Sequence, residues 1–498
     1  MASVTERAAP SEDWGIEPVP PERRALSGFD LAILWGDLGV GLLVLVTGGL
    51  LVPALSFTAA LGAIVVGSVI GSAALGVTAA IGARQGVPTM ALFRPLLGVR
   101  GSWVPSALNF AQLVGWTAVE LWAMSLVADI VFREVLGWSV RYLWLGIFAV
   151  LCTTLALWGP IGVTRAYLKS FGAWVVVAIC VALTFFLLID DGLRATLRAP
   201  GTGGWPTFGL AVDLVIAMPI SWLPLVADYS RFGLRARSSG WGTGLGYLVA
   251  NIWLYTLGAM IVLGSGGTAE PAGIALGVLA ITGGTVAGLL FLVGLLVGET
   301  DEAFADIYSG AVSLQNIWPR MSRVALTFVI AAIATGLAAT LTMQLYENFL
   351  FLIGSVFIPL FGVLVASYLG GREARSGGSQ DSEARSGGSQ DSEARSGGSQ
   401  NSKGDRARSG VRWVAVFSWL MGFLVYHWIA PTGPDWWLDL SATLFGTPLS
   451  QRWGWLGASV PSFVTAATLA WLLARLSSRR PNQQKGDDES SGYVRHVR

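Results

Sequence analysis

The chain has 498 residues, of which 53% are hydrophobic and only 13% are charged, against about 25% charged residues in ordinary soluble domains. About half of the charges lie in three segments, residues 1–28, 370–412 and 475–498, so the remaining body cannot cover itself with a solvated surface. This excludes a soluble multidomain enzyme and predicts an all-α protein of the lipid bilayer. The net charge of +1, with basic residues confined to loops and tails, argues against nucleic acid as a partner.

Residues 1–28 are polar and lack the apolar core of a signal peptide, which predicts a cytoplasmic N-terminal tail. A membrane-spanning helix needs about 20 mostly apolar residues. The sequence predicts twelve such helices, at about 29–52, 57–82, 103–132, 142–162, 167–189, 208–229, 240–265, 276–300, 322–344, 346–369, 412–430 and 455–475.

Lys and Arg favour the loops after even-numbered helices and the C-terminal tail 476–498. Basic residues mark the cytoplasmic side of membrane proteins. We therefore expect a multi-pass protein of the plasma membrane with both termini in the cytoplasm.

The segment 371–411 repeats a ten-residue Gly, Ser and charged motif, EARSGGSQDS, which predicts a disordered cytoplasmic linker. It separates ten predicted helices (29–370) from two more (412–475). This is the layout of a core built from two inverted repeats of five helices, about 29–190 and 208–370, with two extra helices appended.

The first predicted helix contains Asp37 within Trp35-Gly36-Asp37-Leu38-Gly39-Val40-Gly41. Three glycines beside an intramembrane acid indicate a broken helix whose freed carbonyl groups can bind a cation. The alternative is that these glycines allow close packing of helices.

The third predicted helix carries Asn109, Gln112, Trp116 and Glu120 at spacings of three, four and four, which places them on one helical face. A flat heterocycle could stack on Trp116 and hydrogen-bond to Glu120. A structural hydrogen bond between helices is the alternative.

Two prolines, Pro219 and Pro224, interrupt the sixth helix, which predicts a second discontinuous helix at the position equivalent to the first. Asp228 and Arg231 follow as candidates for a gating or structural interaction.

Four carboxylates follow the eighth apolar run, at residues 299–306. They form either a solvated loop or the continuation of a helix, and we expect a helix with Glu299, Thr300 and Asp306 facing a wet cavity. Carboxylate and hydroxyl oxygens suit Na+, and a buried carboxyl could instead carry a proton.

The other classes of site have little support in the sequence. The chain has two cysteines, Cys152 and Cys180, each inside an apolar run, so no disulfide framework is indicated. It has two histidines, His427 and His496, so we expect no zinc site. No cofactor is indicated, and no metal beyond a possible Na+; nothing identifies a protein partner.

Four segments together resemble the nucleobase:cation symporter-1 family. They are Ile16-Glu17-Pro18-Val19-Pro20, Gln85-Gly86-Val87-Pro88-Thr89-Met90 with Arg94 and Gly98 to Gly101, Asp228-Tyr229-Ser230-Arg231, and Tyr308-Ser309-Gly310 with Leu314-Gln315-Asn316.

The resemblance implies twelve helices with a LeuT-type 5+5 inverted repeat plus two extra helices, and alternating access. It implies symport of a flat nitrogen heterocycle with Na+ or H+ as the coupling ion. It places Trp116 on the substrate ring and Glu120 at its edge. We also predict Gln112, Trp222, Asp37 and Asp306 as substrate contacts. The resemblance places the cation near Gly36, Gly39 and Val40 and near Glu299 and Thr300.

Two positions depart from the family pattern. Pro219 stands where the hydantoin transporter uses an aromatic residue, so Trp222 is the nearest aromatic residue available. Glu299 stands where sodium-coupled members have a hydroxyl, which leaves the coupling ion open. The runs Ser221 to Leu225 and Asp306 to Ser309 look most like the hydroxymethylpyrimidine and thiamine-precursor permeases.

The leading hypothesis is therefore a symporter, not an enzyme, that imports hydroxymethylpyrimidine, cytosine or a related pyrimidine. The alternatives are a purine, allantoin, hydantoin or thiamine permease of the same family, an amino-acid carrier of the same fold, or a transceptor that signals through the linker. A membrane-embedded enzyme is disfavoured because the sequence has no HExxH or GxSxG motif.

Overall fold

The structure is a computed structural model that describes residues 14–158, 173–369 and 410–478. Residues 371–409 of the predicted repeat linker lie outside the described residues, as do residues 1–13 of the N-terminal tail and 479–498 of the C-terminal tail. Within the described ranges the regular structure is helical, apart from one β-bridge between Leu26 and Gly233.

The helices of the first half, α1 to α9 in chain order, are Gly28–Asp37, Leu42–Leu50, Phe57–Gln85, Thr89–Leu92, Arg94–Leu97, Trp103–Leu136, Arg141–Trp158, Ala173–Ile189 and Asp191–Thr196. Those of the second half, α10 to α16, are Phe208–Ser221, Val226–Ser230, Ala236–Ser265, Pro271–Ile281, Val286–Ile317, Arg323–Ala338 and Met343–Leu369. The last four, α17 to α20, are Trp413–Ile429, Asp435–Phe445, Leu449–Arg452 and Ser459–Ser478.

Each predicted apolar run overlaps at least one of these helices. In the described part of the chain, seven helices are long and apolar enough to cross a membrane, or eight if α1 and α2 form one bent span. Four shorter apolar helices accompany them, and α14 has the length to span but carries four carboxylates. The total of twelve spans stays a prediction.

The first helix is broken where the glycines predicted it. Ser27 and Asp30 form a capping box that starts α1, with each side chain accepting a hydrogen bond from the other residue's backbone N–H. The chain leaves α1 after Asp37 and restarts at Leu42, and the two helices are bent by 62° to each other. The intervening residues carry Gly39 and Gly41.

The sixth predicted helix is also discontinuous, but the break lies later than the first proline. Helix α10 continues through Pro219 to Ser221, and four turn residues that include Pro224 separate it from α11. Pro224 therefore lies at the interruption, whereas Pro219 is accommodated inside the helix.

The predicted boundaries of the eighth span, 276–300, were wrong. Residues 271–281 form the separate helix α13, and α14 begins at Val286 and continues to Ile317. Gly283 and Gly284 adopt positive φ angles of 65° and 64°, a conformation that glycine tolerates and that ends α13. The acidic stretch after residue 298 is helical, as expected, rather than a loop.

The core brings the functional helices together. Helix α12 packs against α3, α1 and α2, and α14 packs against α6. Helices α17 and α20 pack on each other and on α16, so the appended pair lies beside the last helix of the predicted repeat.

Candidate functional site

A small cavity lies where α6, α10 and α14 meet. Its volume is about 10 Å³, room for about one water molecule. It is lined by Trp116, Glu120, Met218, Ser221, Trp222, Glu302 and Asp306. A heterocycle can enter only if these helices or side chains move apart, so the structure describes a closed state of the site.

The polar stripe of α6 faces this cavity with Trp116 and Glu120. Both residues are buried, because α6 packs its stripe against α14. The Trp116 ring meets Tyr346 and Phe349 edge-on, with centroids 6.1 and 5.4 Å away. These two rings from α16 hold the indole, which leaves part of it at the cavity.

A pair of carboxyl groups closes the other side of the cavity. The carboxyl groups of Glu120 and Asp306 lie side by side, and neither residue is more than 2% exposed. Glu120 Oε2, Asp306 Oδ2 and the neighbouring Glu302 Oε1 are buried without a hydrogen-bond partner.

Gln112 lies one turn before Trp116 and is not among the lining residues. Its Nε2 donates to the carbonyl of Ser221 at 2.8 Å and to Asn109 Oδ1 at 3.0 Å, and Asn109 donates to Ser313 Oγ at 2.7 Å. This network joins α6 to the C-terminal end of α10 and to α14. Gln112 therefore holds the backbone beside Trp222 in place.

Trp222 connects the cavity to the break in the first helix. It directly follows α10, lines the cavity, and meets Trp35 of α1 edge-on with ring centroids 5.8 Å apart. Trp35 also contacts Tyr229 of α11 at 6.0 Å. The two discontinuous helices therefore meet through aromatic side chains.

The break between α1 and α2 lies against the acidic part of α14. Glu299 Oε1 accepts a hydrogen bond from the backbone N–H of Leu42, at the start of α2, and Glu299 Oε2 has no partner. A Cβ atom on Gly298 would lie 3.4 Å from the carbonyl oxygen of Val40. Of the five predicted cation ligands, the structure thus brings Val40 and Glu299 to the same place.

For the other three predicted cation ligands the structure gives contacts with helices rather than with the break. Gly36 and Gly39 approach α12, at Gly246 and Ala250 respectively. Thr300 Oγ1 donates to the carbonyl of Val297 at 2.7 Å, within its own helix. In the described ranges no group of three or more His, Cys, Asp or Glu side chains could hold a metal ion.

Asp37 is buried but does not line the cavity. Its carboxyl lies beside that of Asp301, so a second carboxyl pair stands where the end of α1 meets α14. The unpartnered oxygen of Glu299 and the carbonyl of Val40 are hard donors that fit a coupling cation.

Asp228 and Arg231 lie together at the end of α11, but their side chains are not an ion pair. Asp228 Oδ1 accepts from the backbone N–H of Thr89 at 3.0 Å. The Arg231 guanidinium donates to the carbonyls of Gly15 at 2.6 Å and Asp228 at 3.2 Å, and to Tyr308 Oη at 3.3 Å. The two residues therefore join four separate segments of the chain.

The sequence reasoning missed Met218, Ser221 and Glu302 of the cavity, and Asp301 beside it. The spacing could have found Glu302, because it lies four residues before Asp306 and therefore on the same helical face. No pattern in the sequence singled out Met218, which is an ordinary apolar residue of α10.

A larger cavity of about 560 Å³ lies between α6, α7 and α14. Its lining is apolar except for Thr300 and Asp301. It offers a heterocycle few hydrogen bonds, so the small polar cavity is the better candidate for the substrate site.

Comparison with known proteins agrees with this geometry. A family model described as a permease for cytosine/purines, uracil, thiamine and allantoin matches residues 18–447. The cytosine permease of Escherichia coli K12 is 26% identical over 336 residues, which cover 65% of this chain and 73% of that protein. The hydantoin permease of Microbacterium maritypicum is 23% identical over 371 residues, which cover 70% of this chain and 74% of that protein.

Solved structures share the fold. Mhp1, a nucleobase-cation-symport-1 transporter in a closed conformation with bromovinylhydantoin bound, superimposes with a TM-score of 0.72 at 19% identity, covering 93% of this chain and 95% of that one. A Na+-coupled sialic acid symporter superimposes with a TM-score of 0.58 at 11% identity, covering 94% of this chain and 92% of that one. Because the family model matches residues 18–447, which is most of this chain, the chain belongs to the nucleobase:cation symporter family of membrane permeases.

Proposed function

We propose that this protein imports a pyrimidine-type heterocycle, with hydroxymethylpyrimidine and cytosine as the leading candidates, by cation-coupled alternating access in the plasma membrane. The observation that carries the proposal is the pairing of Trp116 with Glu120 and Asp306 in one buried cavity. An indole beside hydrogen-bonding carboxyls suits a flat nitrogen ring better than an amino acid.

In this proposal Trp116 and Trp222 stack on the ring, and Glu120 and Asp306 bind its edge. Gln112 positions the backbone at Ser221, and Asp37 acts through Asp301 rather than by touching the substrate. The cation, Na+ or H+, binds at the break between α1 and α2, with Val40 and Glu299 as its nearest oxygen donors. Glycines 36 and 39 and Thr300 serve the packing around it.

Substrate binding and the ion gradient act together in such a carrier. Each ligand shifts the balance of outward-open and inward-open states only by its differential affinity for them. Asp228 and Arg231 stabilise one of these states through their bonds to Thr89, Gly15 and Tyr308. We place this end and both termini on the cytoplasmic side because of the basic loops.

The test is uptake by proteoliposomes of labelled hydroxymethylpyrimidine, cytosine, uracil, hypoxanthine and thiamine, driven separately by a sodium gradient and by a pH gradient. We expect a pyrimidine to accumulate with one of the two gradients. No accumulation of any heterocycle with either gradient would reject the function. Purines or hydantoins taken up in preference would select the alternative permease specificity.

A matched pair of variants tests the site itself. We expect Trp116→Ala to abolish uptake, while Trp241→Ala, at a position of α12 whose side chain is 62% exposed, retains it. Uptake that survives Trp116→Ala would reject the stacking role without rejecting transport.

A further inference from the structure

The cavity carries an excess of hydrogen-bond acceptors. Glu120, Glu302 and Asp306 contribute three carboxyl groups, and each is at least 97% buried. Of the other lining side chains, Ser221 Oγ already donates to the carbonyl of Met218 at 2.6 Å. The indole N–H of Trp116 is an unpartnered donor in this lining, and the other unpartnered polar atoms that the cavity presents to a ligand are carboxyl oxygens.

Three of these oxygens lack a partner in the closed state: Glu120 Oε2, Glu302 Oε1 and Asp306 Oδ2. In the part of the chain that the structure describes, none of the three carboxyls has a Lys, Arg or His side chain within ion-pair distance. Buried carboxyl oxygens without a partner are costly unless a ligand supplies donors or a positive charge.

The aromatic residues of the cavity favour the same kind of ligand. Trp116 and Trp222 both line it, and an indole face attracts a planar cation. A ring with an amidine edge, in which a ring nitrogen and an adjacent amino group both point N–H donors outward when protonated, binds a carboxylate through two parallel hydrogen bonds. A ring with carbonyl groups at that edge would instead place oxygen against oxygen.

We infer that the site selects an aminopyrimidine edge, carrying a positive charge or able to take one up, and rejects the corresponding oxo ring. Asp306 and Glu302 accept hydrogen bonds from the amino group, and Glu120 accepts one from the adjoining ring nitrogen. This inference rests on the proposed function and adds to it the chemical group that decides specificity.

The experiment compares ligands that differ only by an amino group exchanged for a carbonyl. The pairs are cytosine and uracil, hydroxymethylpyrimidine and its 4-oxo analogue, and thiamine and oxythiamine, each tested as a competitor of labelled hydroxymethylpyrimidine or cytosine bound to the purified full chain in lipid nanodiscs. In each pair that binds, we expect the amino compound to compete about tenfold better than its oxo analogue or more. The reason is that the oxo ring leaves carboxyl groups without hydrogen-bond partners.

Two variants link the selectivity to the residues. Asp306→Asn and Glu302→Gln should bring the amino-to-oxo ratio toward one. Glu134→Gln, at an exposed position near the end of α6, should keep the wild-type ratio. A ratio unchanged in both site variants would overturn the assignment of these residues.

The outcomes separate this inference from the proposed function. If neither member of any pair binds or is transported, the proposed function fails. If amino and oxo members compete equally in the wild-type protein, transport of a heterocycle stands and the selectivity inference alone is rejected. The competition experiment on the wild-type protein tests the selectivity by itself. It therefore remains decisive even if a variant does not fold.

Discussion

The backbone N–H of Thr89 donates to Asp228 Oδ1 at 3.0 Å, while Thr89 Oγ1 accepts from the N–H of Ala227 at 2.9 Å. Two motifs that lie 139 residues apart are therefore joined in both directions. Thr89 is the first residue of α4, at the end of the loop that follows α3, and Asp228 lies in α11 after the second helix break. This reciprocal pair fixes the end of the broken helix against the loop that follows α3.

Thr89→Val should lower the stability of the protein. It removes the acceptor of the Ala227 N–H inside a buried site, at a cost of about 1–3 kcal/mol. The measurement is the apparent melting temperature in nanodiscs. Thr154→Val is the control, because that exposed hydroxyl bonds only to the Val150 carbonyl of its own helix. An equal fall in both variants would contradict a special role for Thr89.

Arg231→Lys should loosen the segment before α1. A lysine has no planar fork and cannot bond Gly15, Asp228 and Tyr308 together. Hydrogen exchange at residues 14–26 should become faster, whereas Tyr308→Phe, which removes one long bond, should change it less. Unaltered exchange in Arg231→Lys would show that other contacts hold this segment.

Asp213→Ala should weaken the attachment of α20. Asp213 of α10 accepts from the backbone N–H groups of Ala458 at 2.6 Å and Ser459 at 3.0 Å, at the start of α20. Loss of such a cap costs about 1–2 kcal/mol. The apparent melting temperature should fall, and it should not fall for Asp439→Ala, an exposed acid of α18. Equal stability of the two variants would contradict the capping role.

Gly41→Ala should disrupt the break in the first helix. A Cβ atom at Gly41 would lie 2.9 Å from Glu299 Oε1 and would also collide with Glu302. Such overpacking costs about 1–3 kcal/mol and displaces the carboxyls, so uptake should fall strongly. Gly336→Ala is the control, since its Cβ would meet nothing within 4 Å. Full uptake by Gly41→Ala would mean that this geometry is not needed for transport.

Deletion of residues 373–402 tests the linker, which lies outside the described residues. The repeat has no apolar side chains beyond alanine, so it adds nothing to a packed core. We expect the uptake rate and substrate affinity to remain within about twofold of the wild type. A large loss of uptake, or a loss of a cellular response with uptake intact, would support a signalling or regulatory linker instead.

The sequence was most informative where a local pattern determines the outcome. The glycines between Trp35 and Gly41 predicted the first break, because they weaken the helix whatever surrounds them. The spacing of Gln112, Trp116 and Glu120 predicted one helical face, because the period of an α-helix is fixed. Glu299, Thr300 and Asp306 were expected to face one wet cavity, and of the three only Asp306 lines the small cavity.

The partners of these residues depended on contacts between distant segments. Nothing near Asp213 in the sequence indicates that it caps a helix more than two hundred residues later. Glu299 was expected to bind a cation, and its bond to Leu42 depends on how α2 meets α14. The eighth span was misplaced because hydropathy alone did not show that Gly283 and Gly284 end one helix before another begins.

The cap that Asp213 places on α20 has a practical consequence. Any rotation of α10 during the transport cycle must either carry the start of α20 with it or break two buried hydrogen bonds. A fluorescent or spin label near Ser459, which does not line the cavity, would therefore report movement of α10, the helix that carries Met218 and Ser221.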